Sequence, residues 1–369
     1  MQLCGYDWPT AGTKQIAYID REGHVQELSL GRDGMWKTMD LTDIVNAPRA
    51  SQAETIVGFA WPAGRTKQVV YMDRNRHIQE LYRGMEGNWQ CADLTMICGA
   101  PLVDGAMLTA FPWEAGKTKQ VAFIDSDYHI QEMCVAPGGY WQVTDLTAIT
   151  GAPLADGAAL VGYEWPAAGT KHIAYIDNNG HVQELSVGIG GQWQVADITA
   201  MTNAPLAYRG DLGVPLAGCS WAAGGTKQLV YRDRHGHIQE LFVSMGARWQ
   251  CTDLTMLTGT PPANSLGGLS AYEWPAAGTK QVVYLDSTYH LRELFVGVGG
   301  SWQSVDLTAI TSAPRLQQGP VIGFAWTAGN TKQVIYTGPR ESVQELYVAP
   351  GGQWQVADLT LLTSSLTLV

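Results

Sequence analysis

Fourteen tryptophans, two in each of seven internal repeats, limit what this 369-residue chain can fold into more than any other feature. The first set is Trp8, Trp61, Trp113, Trp165, Trp221, Trp274 and Trp326. The second is Trp36, Trp89, Trp141, Trp193, Trp249, Trp302 and Trp354, and no tryptophan lies outside the pattern. A lysine marks the same register at Lys14, Lys67, Lys119, Lys171, Lys227, Lys280 and Lys332, with spacings of 53, 52, 52, 56, 53 and 52 residues. The long spacing holds an insertion near Tyr208–Gly213. A repeat of this period is one supersecondary unit that buries its apolar faces only against its neighbours.

Each unit reads as four short strands. In Val161–Thr199 they are GYEW, TKHIAYID, HVQELSV and WQVADIT, with period-two alternation and turn residues between them. An Ala-Pro pair follows the fourth strand in five copies and sends the chain to the next unit. No long window carries a helical period. Four strands per unit of about fifty residues predict an all-β, seven-bladed β-propeller with four antiparallel strands per blade. The blades fall at approximately residues 1–48, 49–101, 102–153, 154–205, 206–261, 262–314 and 315–369 of one domain. The tail from Ser364 to Val369 has the pattern of another first strand and is expected to cover an edge of blade one.

Composition narrows the function. Hydrophobic residues make up 46% of the chain, enough for a core, and the formal net charge is −11. That acidity, without a Lys/Arg cluster, argues against nucleic acid and anionic membrane surfaces. No apolar run approaches a membrane span. The N-terminus reads as repeat sequence and not as a signal peptide, so synthesis in the cytoplasm is expected, with release by a non-classical route left open. Cys4, Cys91, Cys98, Cys134, Cys219 and Cys251 are scattered at apolar positions, which suits small core side chains better than a disulfide framework. No metal-ligand spacing and no cofactor motif is present, and the oligomeric state is open.

The recurring polar positions suggest chemistry. The hairpin between strands two and three reads Asp20-Arg-Glu-Gly-His24, Asp177-Asn-Asn-Gly-His181 and Asp233-Arg-His-Gly-His237, a type I turn with a glycine bulge. In the seventh copy Gly338 and Ser342 replace both Asp and His, so the two are expected to touch. The Asp of each DLT triplet (Asp40-Leu41-Thr42 in the first) is expected to cap the following turn. Glu27, Glu80, Glu132, Glu184, Glu240, Glu293 and Glu345 fall between apolar neighbours near blade interfaces. Each is either an acceptor for a ligand or a structural partner, for a backbone amide or the Lys14-type ammonium. Tryptophan offers a broad apolar face on which a sugar's C–H face stacks, and carboxylates accept from its hydroxyls. The first tryptophan set is expected to pack between blades, the second to meet ligand.

The segment GYDWPTAGTKQIAYIDREGHVQEL, followed by MWKTMDLT, resembles the blades of fungal fucose-specific lectins of the Aleuria type, and the resemblance extends over all seven units. Family members with six blades differ from this chain in number; some bacterial propeller lectins are closer. The resemblance implies sugar sites between blades. It assigns hydroxyl binding to the seven glutamates above, and stacking to Trp36, Trp89, Trp141, Trp193, Trp249, Trp302 and Trp354. The family's arginine falls at Ile16, Val69, Val121, Ile173, Leu229, Val282 and Val334, so it is absent from every copy. The register lysine, two residues earlier on the same strand face, is the nearest basic group, without arginine's planar fork. The expected function is a multivalent lectin whose partners are glycans or glycoconjugates. A propeller enzyme with one asymmetric or central-channel site and a protein-interaction scaffold remain as alternatives.

Overall fold

The computed structural model describes residues 1–51, 55–209 and 216–364. In the first blade the chain runs through β1 (Leu3–Trp8), β2 (Thr13–Ile19), β3 (Val25–Leu30) and β4 (Trp36–Asp40). The four pair in that order, each antiparallel to the last. Six further sheets repeat the arrangement, each from four consecutive strands. The first strands of successive blades pack side by side around the ring, and β1 packs against Val321–Trp326, the first strand of the seventh blade. The chain is therefore a seven-bladed β-propeller. Of the expected edge-covering tail, residues 365–369 lie outside the described residues, as do 210–213 of the insertion.

The apolar core lies between blades. Seven clusters of buried side chains each join two adjacent blades, as Cys4, Tyr6 and Ala17 meet Ile56, Val69 and Tyr71. Strand alternation makes this possible, because both faces of each sheet carry apolar residues to bury. The first strands come so close that, in five of the seven blades, glycine holds the position where a Cβ would meet the neighbouring blade's side chains. A Cβ on Gly58 would lie 2.2 Å from the Tyr6 ring, and one on Gly162 would lie 2.1 Å from the Phe111 ring. The Ala-Pro connections are also anchored. Tyr71, Tyr175, Tyr231 and Tyr336 donate hydroxyl hydrogen bonds of 2.6–2.8 Å to the carbonyls of Pro48, Pro153, Pro205 and Pro314.

One element was not visible in the sequence. After each fourth strand the chain makes a helical turn, α1 (Leu41–Val45) in the first blade. The DLT aspartate caps it as expected: Asp40 accepts from the amide of Asp43, and Asp93, Asp145, Asp197, Asp253, Asp306 and Asp358 do the same in their blades. The DLT threonine has a second task. Thr42 Oγ1 accepts from the amide of Val25, tying the helix to the start of β3, and Thr95 and Thr147 serve Ile78 and Ile130 alike.

Candidate functional site

At every blade junction the register lysine leaves its own sheet and pairs with the glutamate of the preceding blade. Lys67 meets Glu27, Lys119 meets Glu80, Lys171 meets Glu132, Lys227 meets Glu184, Lys280 meets Glu240 and Lys332 meets Glu293, at 2.5–2.7 Å. Lys14 closes the series on Glu345. Each ammonium also sits between two indoles. Lys119 Nζ lies 5.1 Å from the ring centres of both Trp61 and Trp141, and Lys280 Nζ lies 5.0 Å from Trp221 and 5.3 Å from Trp302. Cation–π attraction is strong where water is excluded. A site therefore consists of the Glu and first-set Trp of one blade with the Lys and second-set Trp of the next. The glutamate and second-set tryptophan of one blade serve different junctions: Glu27 meets Trp89, and Trp36 meets Glu345.

These groups are placed by strand geometry. Lys14 and Ile16 share the face of β2 that looks to the preceding blade, and Glu27 on β3 lies across from Ala17 on the opposite face. All seven lysines and all seven glutamates are buried. The first-set tryptophans are buried too, as expected of packing residues. Six of the second set are half-exposed; Trp89 is the exception at 6%. Burial pushes the carboxyls of Glu80, Glu132, Glu240, Glu293 and Glu345 upward, against the pull of their lysines. It pushes the ammonium of Lys14, Lys67, Lys119, Lys227 and Lys332 downward, against their glutamates.

The fourth junction is different. His172 stands where the other blades carry glutamine, stacked on Tyr163 at 5.1 Å between ring centres. Its Nδ1 is 3.1 Å from Lys227 Nζ and 3.4 Å from Glu184. Burial alone would raise Glu184, but His172 and Lys227 outweigh it and hold the carboxyl at about 2. Burial pushes His172 itself downward. Its signal in the sequence is that it is the one departure from a glutamine repeated in the six other blades.

The junction between the fifth and sixth blades opens as a surface groove of about 270 Å³. Lys280 and Glu240 lie at it together with Trp221, Phe242 and Trp302, and Leu257 of the fifth blade's helix and Val296 add to the apolar lining. Such a groove offers a flat apolar wall beside a donor and an acceptor, the complement of a ring with one C–H face and several hydroxyls.

The hairpin Asp and His meet as expected, through the histidine's backbone amide, and the imidazole finds a second partner. Asp20 Oδ1 accepts from the backbone amides of Glu22 and His24, while the imidazole turns to the helix-capping aspartate. His24, His77, His129, His181, His237 and His290 place Nδ1 2.6–2.8 Å from Asp40, Asp93, Asp145, Asp197, Asp253 and Asp306. The cause is register: β3 and β4 place Gln26 opposite Asp40, which brings the cap beside the end of the hairpin. Two such clusters, His24 with Asp40 and Asp43, and Asp233 with His237 and Asp253, bring three ligand-type atoms within 4.8 Å. All six cysteines are free, and Cys4 alone among them is buried rather than half-buried. Burial pushes the Cys4 and Cys219 thiols up to about 12, and Cys91, Cys98 and Cys251 to about 11.

No protein-family model matches the chain, and no curated protein matches it. Solved structures do. BP39L lectin from Burkholderia pseudomallei superposes with a TM-score of 0.70 at 14% identity, over 96% of this chain and 97% of its own. Aleuria aurantia lectin, a fungal lectin with a six-bladed propeller, gives 0.55 at 18% identity, over 82% of this chain and 93% of its own. AofleA from Arthrobotrys oligospora gives 0.54 at 16%, over 82% and 85%. The fold of this chain is thus the propeller fold of these lectins, as the repeat pattern led one to expect.

Proposed function

We propose that this protein is a multivalent carbohydrate-binding lectin that seats sugars in the grooves between its blades. The observation that carries the reading is the groove at the fifth junction. There the half-exposed Trp302 stands beside the Lys280–Glu240 pair, so an apolar platform and hydroxyl-binding groups share one opening. Supporting it, a point mutant of Aleuria aurantia lectin and SapL1 lectin, which share the fold, have structures in complex with α-methyl fucoside. Here the family's arginine position is aliphatic and the lysine supplies the cation, so the sugar is left open. A single shallow site with a Kd near 1 mM is worth roughly 4 kcal/mol. Repetition around the ring raises avidity by about 10²–10⁴ where several sites engage one surface.

A glycan array followed by titration calorimetry tests the reading. Binding to at least one neutral glycan is expected, weakened at least tenfold on an array by combined Trp36→Ala, Trp141→Ala and Trp302→Ala. Silence across the array, or full binding by the triple variant, overturns it.

A further inference from the structure

The seven junctions are unequal, and we infer that three of them, at Glu80, Glu240 and Glu345, are the working sugar sites. The inference rests on the carbohydrate reading above and adds which junctions bind and why.

Two independent features sort them. The first is the glutamate's second oxygen. Tyr6 donates to Glu27 at 3.2 Å and Tyr163 to Glu184 at 2.5 Å, each on the oxygen its lysine leaves, while Lys332 reaches both oxygens of Glu293 and Tyr272 shares one of them at 3.3 Å, so both oxygens are engaged in all three. Phe59, Phe111, Cys219 and Phe324 hold the tyrosine's place in the other blades and have no hydroxyl to give. Among the described residues, Glu80, Glu132, Glu240 and Glu345 therefore keep one carboxylate oxygen that no side chain occupies. The second feature is a third ring, two residues after the glutamate. Tyr82, Phe242, Phe295 and Tyr347 stand 5.3–5.4 Å from the ammonium of the next blade, where the remaining junctions carry Ser29, Cys134 and Ser186.

Both features coincide at three junctions: Glu80 with Tyr82, Glu240 with Phe242, and Glu345 with Tyr347. The open groove already described is one of them. Their second-set tryptophans, Trp141, Trp302 and Trp36, are half-exposed, as are all of that set but Trp89, so exposure alone does not sort the junctions. The chemistry at each working site is a free carboxylate oxygen to accept from one hydroxyl and an ammonium with spare N–H groups to donate to its neighbour. Two rings flank the mouth, and an uncharged pyranose presenting a vicinal diol fits this set. The junction at Glu132 lacks only the ring, and that at Glu293 lacks only the free oxygen.

The test is stoichiometry. Wild-type protein is titrated calorimetrically with methyl glycosides of fucose, mannose, galactose and N-acetylglucosamine, and crystals are soaked with whichever binds. About three sugars per chain are expected, at the three named junctions. Phe324→Tyr, which offers Glu345 a hydroxyl, lowers the count to about two. Cys134→Tyr, which supplies the missing ring beside Glu132, raises it to about four. Binding at about seven equivalent sites, or counts unmoved by both variants, overturns this inference and leaves the lectin reading standing. Failure of all four glycosides to bind when a glycan array is positive overturns the monosaccharide site; failure of array and glycosides together overturns the lectin reading itself.

Discussion

At the scale of single residues, the register lysine is the group on which the junctions depend. Removing two opposite charges from water costs several kcal/mol per ion, and attraction offsets this only where geometry is close. Here each ammonium has a carboxylate at hydrogen-bond distance and an indole on either side. Loss of one partner leaves the other buried and unpaired. Glu27→Gln, at a junction without a proposed sugar site, is therefore expected to lower unfolding stability by about 3 kcal/mol. Adding Lys67→Met to that variant is expected to recover more than half. Denaturant titration of the three proteins checks this; a double variant as unstable as the single one would count against the paired-charge account.

At the scale of the element, the capping aspartate couples two local structures. Asp145 caps its helix through the amide of Ala148 and at the same time holds His129 of the neighbouring hairpin at 2.8 Å. The hydrogen bond to Asp145 raises His129 above an ordinary imidazole's 6.5. Burial opposes ionisation of Asp145, but the Ala148 amide and His129 outweigh it and hold the carboxyl below 3.8. The signs follow by linkage. The histidine's contribution is complete below pH 6.5 and is lost as pH rises through its raised folded value. The aspartate's is complete above pH 3.8 and is lost as pH falls through its lowered folded value. His129→Asn is thus expected to lower the melting temperature most near pH 5–6 and progressively less toward pH 8. Melting curves of both proteins across that range give the answer, and a constant difference would remove the charge from the explanation. His237, raised by its bond to Asp253, is expected to behave alike.

At the scale of the whole molecule, stability belongs to the interfaces. No strand is exchanged between the described parts of the first and last blades, so side chains close the ring: Leu3, Ile16 and Leu28 against Phe324, Ile335 and Val343, with Lys14 on Glu345. Close approach of the first strands is part of the same design. Tyr6 cannot retreat from Gly58 without giving up its bond to Glu27, so Gly58→Ala is expected to cost about 1–3 kcal/mol by overpacking. Tyr6→Leu in the same chain is expected to recover part of it. Ala110 holds the glycine's place in the third blade and shares a cluster with Phe59, which has no hydroxyl to anchor. Thermal unfolding of the single and double variants measures the difference.

The sequence by itself determined the number of blades, the four strands of each, the hairpin turns and the aspartate caps. Those features depend on alternation and turn chemistry within a few residues, and Gly23 at a φ of 86° and Asp40 on the Asp43 amide stand where local rules put them. The five-residue helix after each fourth strand escaped because it is shorter than two turns and shows no period. Only the tertiary structure decided the partners. Alternation assigns Glu27 to one face of its sheet and Lys14 to the other, but not which way around the ring each face looks. Ring direction sends Glu27 to Lys67, 40 residues on, and Lys14 to Glu345, 331 residues away. The difference between junctions was likewise invisible in a repeat read one copy at a time. A tyrosine on the first strand reaches a glutamate on the third only because folding brings them together across two strand pairings, as Tyr6 meets Glu27.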